Sequence, residues 1–364
     1  MDRPIQIVMT PTRNEAWVIR AFLECNGLWA DYIIIADQMS TDGTREIITE
    51  YQERWGTNTL YTIHHTPYTL HPTPYTLHLT PYTLHHTHQC QLILIDNTNP
   101  EFNEAERQAM LVAKAREVAA GRDTLLWGLD ADEILPANWQ ETEDGKHILN
   151  SVKGDVFWFK WANLSPDKKH YKEGSFQPWL FHDDGIEPHG NYVRNMHSMR
   201  IPYPIEEKQM YYVNDFHVLH CGFLSIRRTE AKAVFYQFVD WELNRKSPIS
   251  LSRLYMNHQK GNYFSDYQLL VDSQWLKFPF DFWNLINLNE KYTWYEDYVV
   301  ERLSAYNHEV YKLDIWNEEF IDRYQLPDNR RWIDKVIHAY LSKTDKVKRS
   351  IVIRAIDKIS KKLY

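Results

Sequence analysis

Four short apolar runs, IQIVM (5–9), YIIIAD (32–37), LILID (92–96) and LLWGLD (125–130), alternate with three stretches of helical composition. These are AWVIRAFLECNGLW (16–29), REIITEYQERW (45–55) and EFNEAERQAMLVAKAREVAA (101–120). Runs this short and this rich in Val, Leu and Ile suit strands buried on both faces. Interleaved with helices, they leave few architectures open. The pattern predicts a Rossmann-like α/β domain built on a mostly parallel sheet flanked by helices. Asn14 is placed to cap the first helix, with Val18, Phe22 and Leu23 on its inner face, and Gly56 to end the second.

Sheets of this kind bind ligands beyond the carboxyl ends of their strands. Three turns leave such ends, TPTRNE (10–15), DQMSTDGT (37–44) and DADE (130–133), and all converge on one rim. The last is the most informative, because it crowds Asp130, Asp132 and Glu133 at the end of an apolar strand. That is costly unless something positive is brought there. In extended chain Asp130 and Asp132 lie on the same face. A pair of hard oxygen ligands suits Mg²⁺ or Mn²⁺, whose shell is commonly completed by phosphate oxygens and water. Asp37 can accept hydrogen bonds from a base or ribose, or simply close an Asx turn.

Composition removes other classes. A net charge of −8 over 364 residues argues against a broad nucleic-acid surface. Cys25, Cys90 and Cys221 are too few and too widely spaced for a disulfide framework or a zinc pair, which points to a reducing, cytoplasmic setting. No apolar stretch approaches membrane-spanning length, and the N-terminus lacks the pattern of a signal peptide. Most of the 14 Trp and 23 Tyr must be core, and the surplus suits a groove that stacks on flat or sugar-like ligands.

Residues 61–88 read YTIHHTP, YTLHPTP, YTLHLTP, YTLHHTH, four tandem copies of a seven-residue unit. Pro67, Pro74 and Pro81 exclude a continuous coiled-coil helix. Seven of the 17 His lie here, so metal binding is one reading, and an expanded surface loop between helix and strand is the other. Deleting Tyr68–His88 removes three units and leaves Tyr61–Pro67 to close the connection. A roughly fourfold shorter loop lowers the closure cost by only ~1 kcal/mol. Ligand affinity measured by calorimetry is therefore expected to be unchanged, with slightly higher thermal stability. A loss beyond about tenfold, ~1.4 kcal/mol, places the Tyr/His loop over the ligand instead.

After Pro136 the pattern changes. DVFWFKW (155–161) and PWLFH (178–182) read as antiparallel strands, and DDG (183–185) as a hairpin turn. From about Thr229 the chain is helical and aromatic, which divides it into a domain over 1–230 and a helical C-terminal region over 231–364. Residues 342–363 hold eight Lys/Arg against two Asp, with Val347, Ile351, Val352, Ile356, Ile359 and Leu363 on one helical face. Such a basic amphipathic helix either packs on its own domain or lies peripherally on the inner face of an anionic membrane.

IVMTPTRNEAWVIRAFL, DYIIIADQMSTDGTREI and LLWGLDADEIL, taken in order, resemble the nucleotide-binding half of family-2 glycosyltransferases of the GT-A fold. The likeness covers roughly residues 4–136 around the repeats and continues more weakly to about residue 245. It implies that Thr10, Pro11, Thr12 and Glu15 line a nucleotide pocket and that Asp37 holds the base. By the same resemblance Arg107 reaches the nucleotide or diphosphate, Asp130 approaches the ribose and the metal-bound phosphates, and Asp132 binds a divalent ion, Mn²⁺ or Mg²⁺. His220 is a candidate further metal ligand, or a buried structural histidine. The resemblance also implies inverting transfer from a nucleotide-sugar donor to a hydroxyl of a saccharide or lipid-linked acceptor, as in glycan or cell-surface polysaccharide synthesis. Its usual His-Glu segment reads His197-Ser198 here, so the candidate bases are His197, Glu187 and Asp184. Sugar-phosphate nucleotidyl transfer is an alternative, but TPTRNEAW has no glycine for a phosphate loop. A binding protein working through its repeats is another.

Overall fold

The computed structural model describes residues 3–56, 90–100, 103–186, 198–202, 210–255, 269–289, 293–344 and 350–363. The heptapeptide repeats, Glu187 and His197 lie outside them. The chain is α/β, with a mixed sheet and flanking helices. It divides into two compact units.

The first unit comprises Met1–Trp161, Ser175–Leu219 and Asp272–Asn287. Its frame is β1 (Ile5–Thr12), α1 (Ile19–Gly27), β2 (Tyr32–Asp37), α2 (Thr44–Gly56), β3 (Gln91–Asp96), α3 (Glu104–Ala119) and β4 (Thr124–Gly128). The strands stand in the order β3-β2-β1-β4, and every pairing among them is parallel. The alternation in the sequence predicts this half of the sheet. β1 runs three residues beyond its apolar run, because Thr10, Pro11 and Thr12 pair with Ile35, Ala36 and Asp37. Pro11 is tolerated there although it offers no N–H to the ladder.

Asn14 does not cap α1. Its backbone is left-handed (φ 55°), and its side chain accepts from Thr41 N (2.7 Å), so the helix starts later, after Val18. Val18, Phe22 and Leu23 are buried as expected. Asn103 caps α3 by accepting from Glu106 N at 3.2 Å.

β5 (Glu133–Ile134), α4 (Glu143–Leu149), β6 (Val156–Leu164) and β7 (His170–His182) follow. β7 is antiparallel to β4, pairing Leu126 with Phe181, which makes the whole sheet mixed rather than mostly parallel. Residues 165–169 join β6 to β7, and β7 runs into DDG as the sequence reads. There Asp183 and Asp184 close two short turns, accepting from Gly185 N and Ile186 N. β9 (Val218–His220) stands between β6 and β5 in the strand order, and β8 (Met210–Tyr212) pairs with β6 off that order. Trp29, Trp127 and Trp139 pack edge to face with centroids 5.2–5.3 Å apart, and Trp127 Nε1 donates to Gln6 Oε1 (3.0 Å). These tryptophans are core.

The second unit comprises Ala162–Gly174, His220–Val271 and Leu288–Tyr364. It carries α5 (Ile226–Asn244), α6 (Pro248–Tyr255), β10 (Leu269–Leu270), α7 (Trp294–Leu303), α8 (Glu318–Tyr324), α9 (Trp332–Lys343) and α10 (Ile351–Leu363). Phe235 on α5 meets Trp294, Tyr295 and Tyr298 on α7, with centroids 5.1–5.3 Å apart. Among the described residues no helix is long and apolar enough to cross a membrane.

His338 on α9 is buried, and its Nε2 lies 3.1 Å from the Lys312 carbonyl. Burial lowers its pKa below 6.5, with Arg330 acting in the same direction against the opposing pull of the Lys312 carbonyl, Asp334 and Asp328. Below about pH 6.5 the unfolded imidazole takes up a proton that the folded one resists, so the unfolded state binds more protons and stability falls with pH. Thermal unfolding is expected to lose stability from pH 7 to pH 5, less steeply in His338→Gln. Equal slopes in both proteins remove His338 as the cause.

Candidate functional site

The parallel register brings the carboxyl ends of β1, β2 and β3 level, with Thr12 opposite Asp37 and Asp37 opposite Asp96. β4 ends beside Met9 at Gly128. Beyond this rim stand the three turns, and two of them are laced together. Asn14 N donates to Ser40 Oγ (2.8 Å), Glu15 N to Thr44 Oγ1 (2.8 Å) and Ala16 N to Asp42 Oδ2 (3.0 Å). Asp42 Oδ1 also receives Thr44 N at 3.0 Å. Gly43 has φ 98°, a left-handed conformation that favours glycine. The D-x-x-S-x-D-G-T run is thus a fitted turn, with each polar residue holding a named backbone group.

Asp37 is fully buried at its centre. Its carboxylate accepts from Thr12 Oγ1 (3.0 Å), Ser40 Oγ, Ser40 N (3.1 Å) and Arg45 Nη1 (2.9 Å). Arg45 reaches on to Asp96 (2.6 Å), and its bonds to Asp37 and then Asp96 raise its pKa above the ordinary value. Asp37 therefore works inside the protein as the clasp between β1, β2 and α2. Thr10 and Pro11 are also buried, and Glu15 accepts from Trp17 Nε1 at 2.6 Å. Arg107 sits half-buried on α3.

The carboxylates after β4 meet a cation from the protein itself. Arg200 places one guanidinium nitrogen on Asp130 Oδ2 and the other on Glu133 Oε2. Glu133 is fully buried, and its carboxylate also accepts from Trp161 Nε1 (2.8 Å) and Asp130 N (3.0 Å). Burial by itself lowers the Arg200 pKa, but the charges of Asp130, Glu133 and Glu104 outweigh it and hold the guanidinium charged. A side chain on Gly128 would sit 2.7 Å from Arg200 Cβ and 2.8 Å from its carbonyl oxygen, so glycine there admits this approach. Asp132 is buried beside them. More than a third of the Asp130 side chain stays open to solvent.

Asp184, half-buried, accepts from Ile186 N (3.1 Å) as a turn residue does, while its neighbour Asp183 is held in a bidentate pair by Arg116 (2.8 and 3.1 Å). His220 belongs to the second unit, where its Nδ1 is 2.6 Å from Asn163 Oδ1. Among the described residues no three His, Cys, Asp or Glu side chains are gathered for a metal ion. Sequence reasoning singled out the turn that holds Ser40, Asp42 and Thr44 without giving them roles, and it missed Arg45, Trp161 and Arg200. Arg45 directly follows that turn, whereas Arg200 carries no local signal. Compared with known families and with curated proteins, the chain matches no family model and no curated protein.

Proposed function

We propose that this chain is a glycosyltransferase of the GT-A, family-2 type, moving a sugar from a nucleotide-diphosphate sugar to an acceptor hydroxyl with divalent-metal assistance. The observation that carries the reading is the rim, where three turns leave the carboxyl ends of parallel strands and one presents Asp130 and Asp132. In open α/β sheets that is where ligands bind. The donor set fits Mn²⁺ or Mg²⁺, because Asp130 and Asp132 offer hard oxygens and Asp130 remains partly open. When bound, such an ion stabilises the charge that gathers on the departing diphosphate.

The chain's own residues have three tasks. The fitted turns, fixed through Asp37 and Asp42, hold the nucleotide in one register so that little ordering remains to be done at reaction. Arg200 keeps the acidic rim neutral enough to accept a diphosphate and is a second cation toward it. A base draws the proton from the acceptor hydroxyl as attack proceeds. Asp184 follows the end of β7 that pairs with the start of β4, at the opposite edge of the sheet from the rim, which leaves Glu187 and His197 as the candidates for that base.

A thermal-shift panel of nucleoside diphosphates and nucleotide-sugars, with and without Mn²⁺, tests this reading. One nucleotide class is expected to raise the unfolding temperature, and more so with Mn²⁺, by mass action. No shift with any nucleotide at saturating concentration overturns it.

A further inference from the structure

α10 is mounted the wrong way round for a helix that serves its own core. Asp357 is its buried side chain, with Ile353 and Ser360 half-buried beside it. Val352, Ile356 and Ile359, spaced four and three apart and so on one face, are 66%, 40% and 59% exposed, and Ile351 is 85% exposed. The mounting is polar. Arg253 on α6 grips Asp357 through two bonds (3.0 and 3.1 Å), Tyr340 on α9 donates to the same carboxylate (2.8 Å), and Arg253 also reaches the Thr344 carbonyl (3.0 Å). Arg253 and Asp357 are both almost wholly buried. An ion pair that deep is lost at high cost if one partner goes, so the orientation of the helix is held firmly.

We propose that α10 is a docking face for an anionic lipid bilayer, independent of the transferase reading. Charge selects the occupant. Asp357 is the one acid of the helix, and it is turned inward and neutralised, which leaves Arg354, Lys358 and Lys361 exposed around the apolar stripe. In a chain of net charge −8 this is a segregated basic end, and it turns toward a negative surface as the rest is repelled. A second copy of the chain would set these cations against each other. A bilayer interface takes aliphatic side chains without shape complementarity and pairs the lysines with headgroup phosphates. Beside the helix, a cleft of about 520 Å³ is lined by Lys361 together with Arg245, Lys246 and Lys312, against Glu309, and is roomy enough for a headgroup.

The test uses the full chain with sedimented vesicles of phosphatidylcholine alone and of phosphatidylcholine mixed with phosphatidylglycerol. Truncating α10 is unsuitable, because it strips Arg253 of its buried partner. Ile356→Ser with Ile359→Ser changes only exposed positions, and Lys358→Gln with Lys361→Gln removes charge while leaving the stripe. Wild type is expected to bind the mixed vesicles alone, and less at high salt. Each double variant is expected to bind about tenfold or more weakly with its unfolding temperature unchanged. Three results overturn the proposal. They are equal binding to both vesicle types, equal binding by wild type and the Ile double variant, and a lipid-free dimer of wild type that the Ile double variant loses.

Discussion

Asp132→Ala is expected to lower sugar transfer by on the order of a thousandfold, equivalent to ~4 kcal/mol of transition-state stabilisation. Asp132 follows β4 in the Asp-Ala-Asp run and is buried at the rim. On the proposed reading it is a ligand of the divalent ion. Because the side chain is buried, Asp132→Asn is the better-controlled partner variant, since it keeps the volume while removing the charge. Both variants are expected to lose Mn²⁺ binding in calorimetry as well as turnover. Turnover within about tenfold of wild type, with Mn²⁺ dependence intact, removes Asp132 from the mechanism. Retained Mn²⁺ binding with lost turnover assigns the ion to other ligands.

The parts of this site that are local in sequence were legible there, and the parts assembled over distance were not. The strands of the parallel half follow from their apolar runs, because burial on both faces leaves no other use for IQIVM or YIIIAD. The turn after Asp37 is legible in part, since Asp37 and Asp42 take partners within eight residues. Ser40, Asp42 and Thr44 also reach back to Asn14, Ala16 and Glu15, which no local pattern shows. Asn14 misleads, because its side chain has two competing uses. Helix capping is local, but the bond to Thr41 N ties two turns together and prevails. DDG is legible as a turn after β7, whereas the length of β7, which begins at His170 and reaches β4 only at its far end, is not. Arg200 is the largest omission. Nothing near it announces a partner some 70 residues back, and part of the positive charge that DADE calls for comes from Arg200.

Arg200 therefore offers the sharpest test of how the rim is stabilised. Arg200→Ala leaves Glu133 fully buried with its Trp161 and Asp130 N–H donors but without the Arg200 guanidinium. Breaking such a pair from one side costs about 3 kcal/mol or more, since the desolvation of the remaining charge is no longer offset. The expected result is a fall of that size in unfolding free energy, measured by urea titration. Adding Glu133→Gln should recover a large part of the loss, because it removes the stranded charge and retains an acceptor for Trp161. A divalent ion provides the second arm. If Asp130 and Asp132 form a cation site that Arg200 partly neutralises, Mn²⁺ should stabilise Arg200→Ala more than wild type, by mass action. Two findings count against this account. A loss below about 1 kcal/mol shows a pair worth no more than an exposed one. Equal Mn²⁺ stabilisation of both proteins shows that the ion and Arg200 do not share Asp130, and then the rim's charge is balanced by the guanidinium alone.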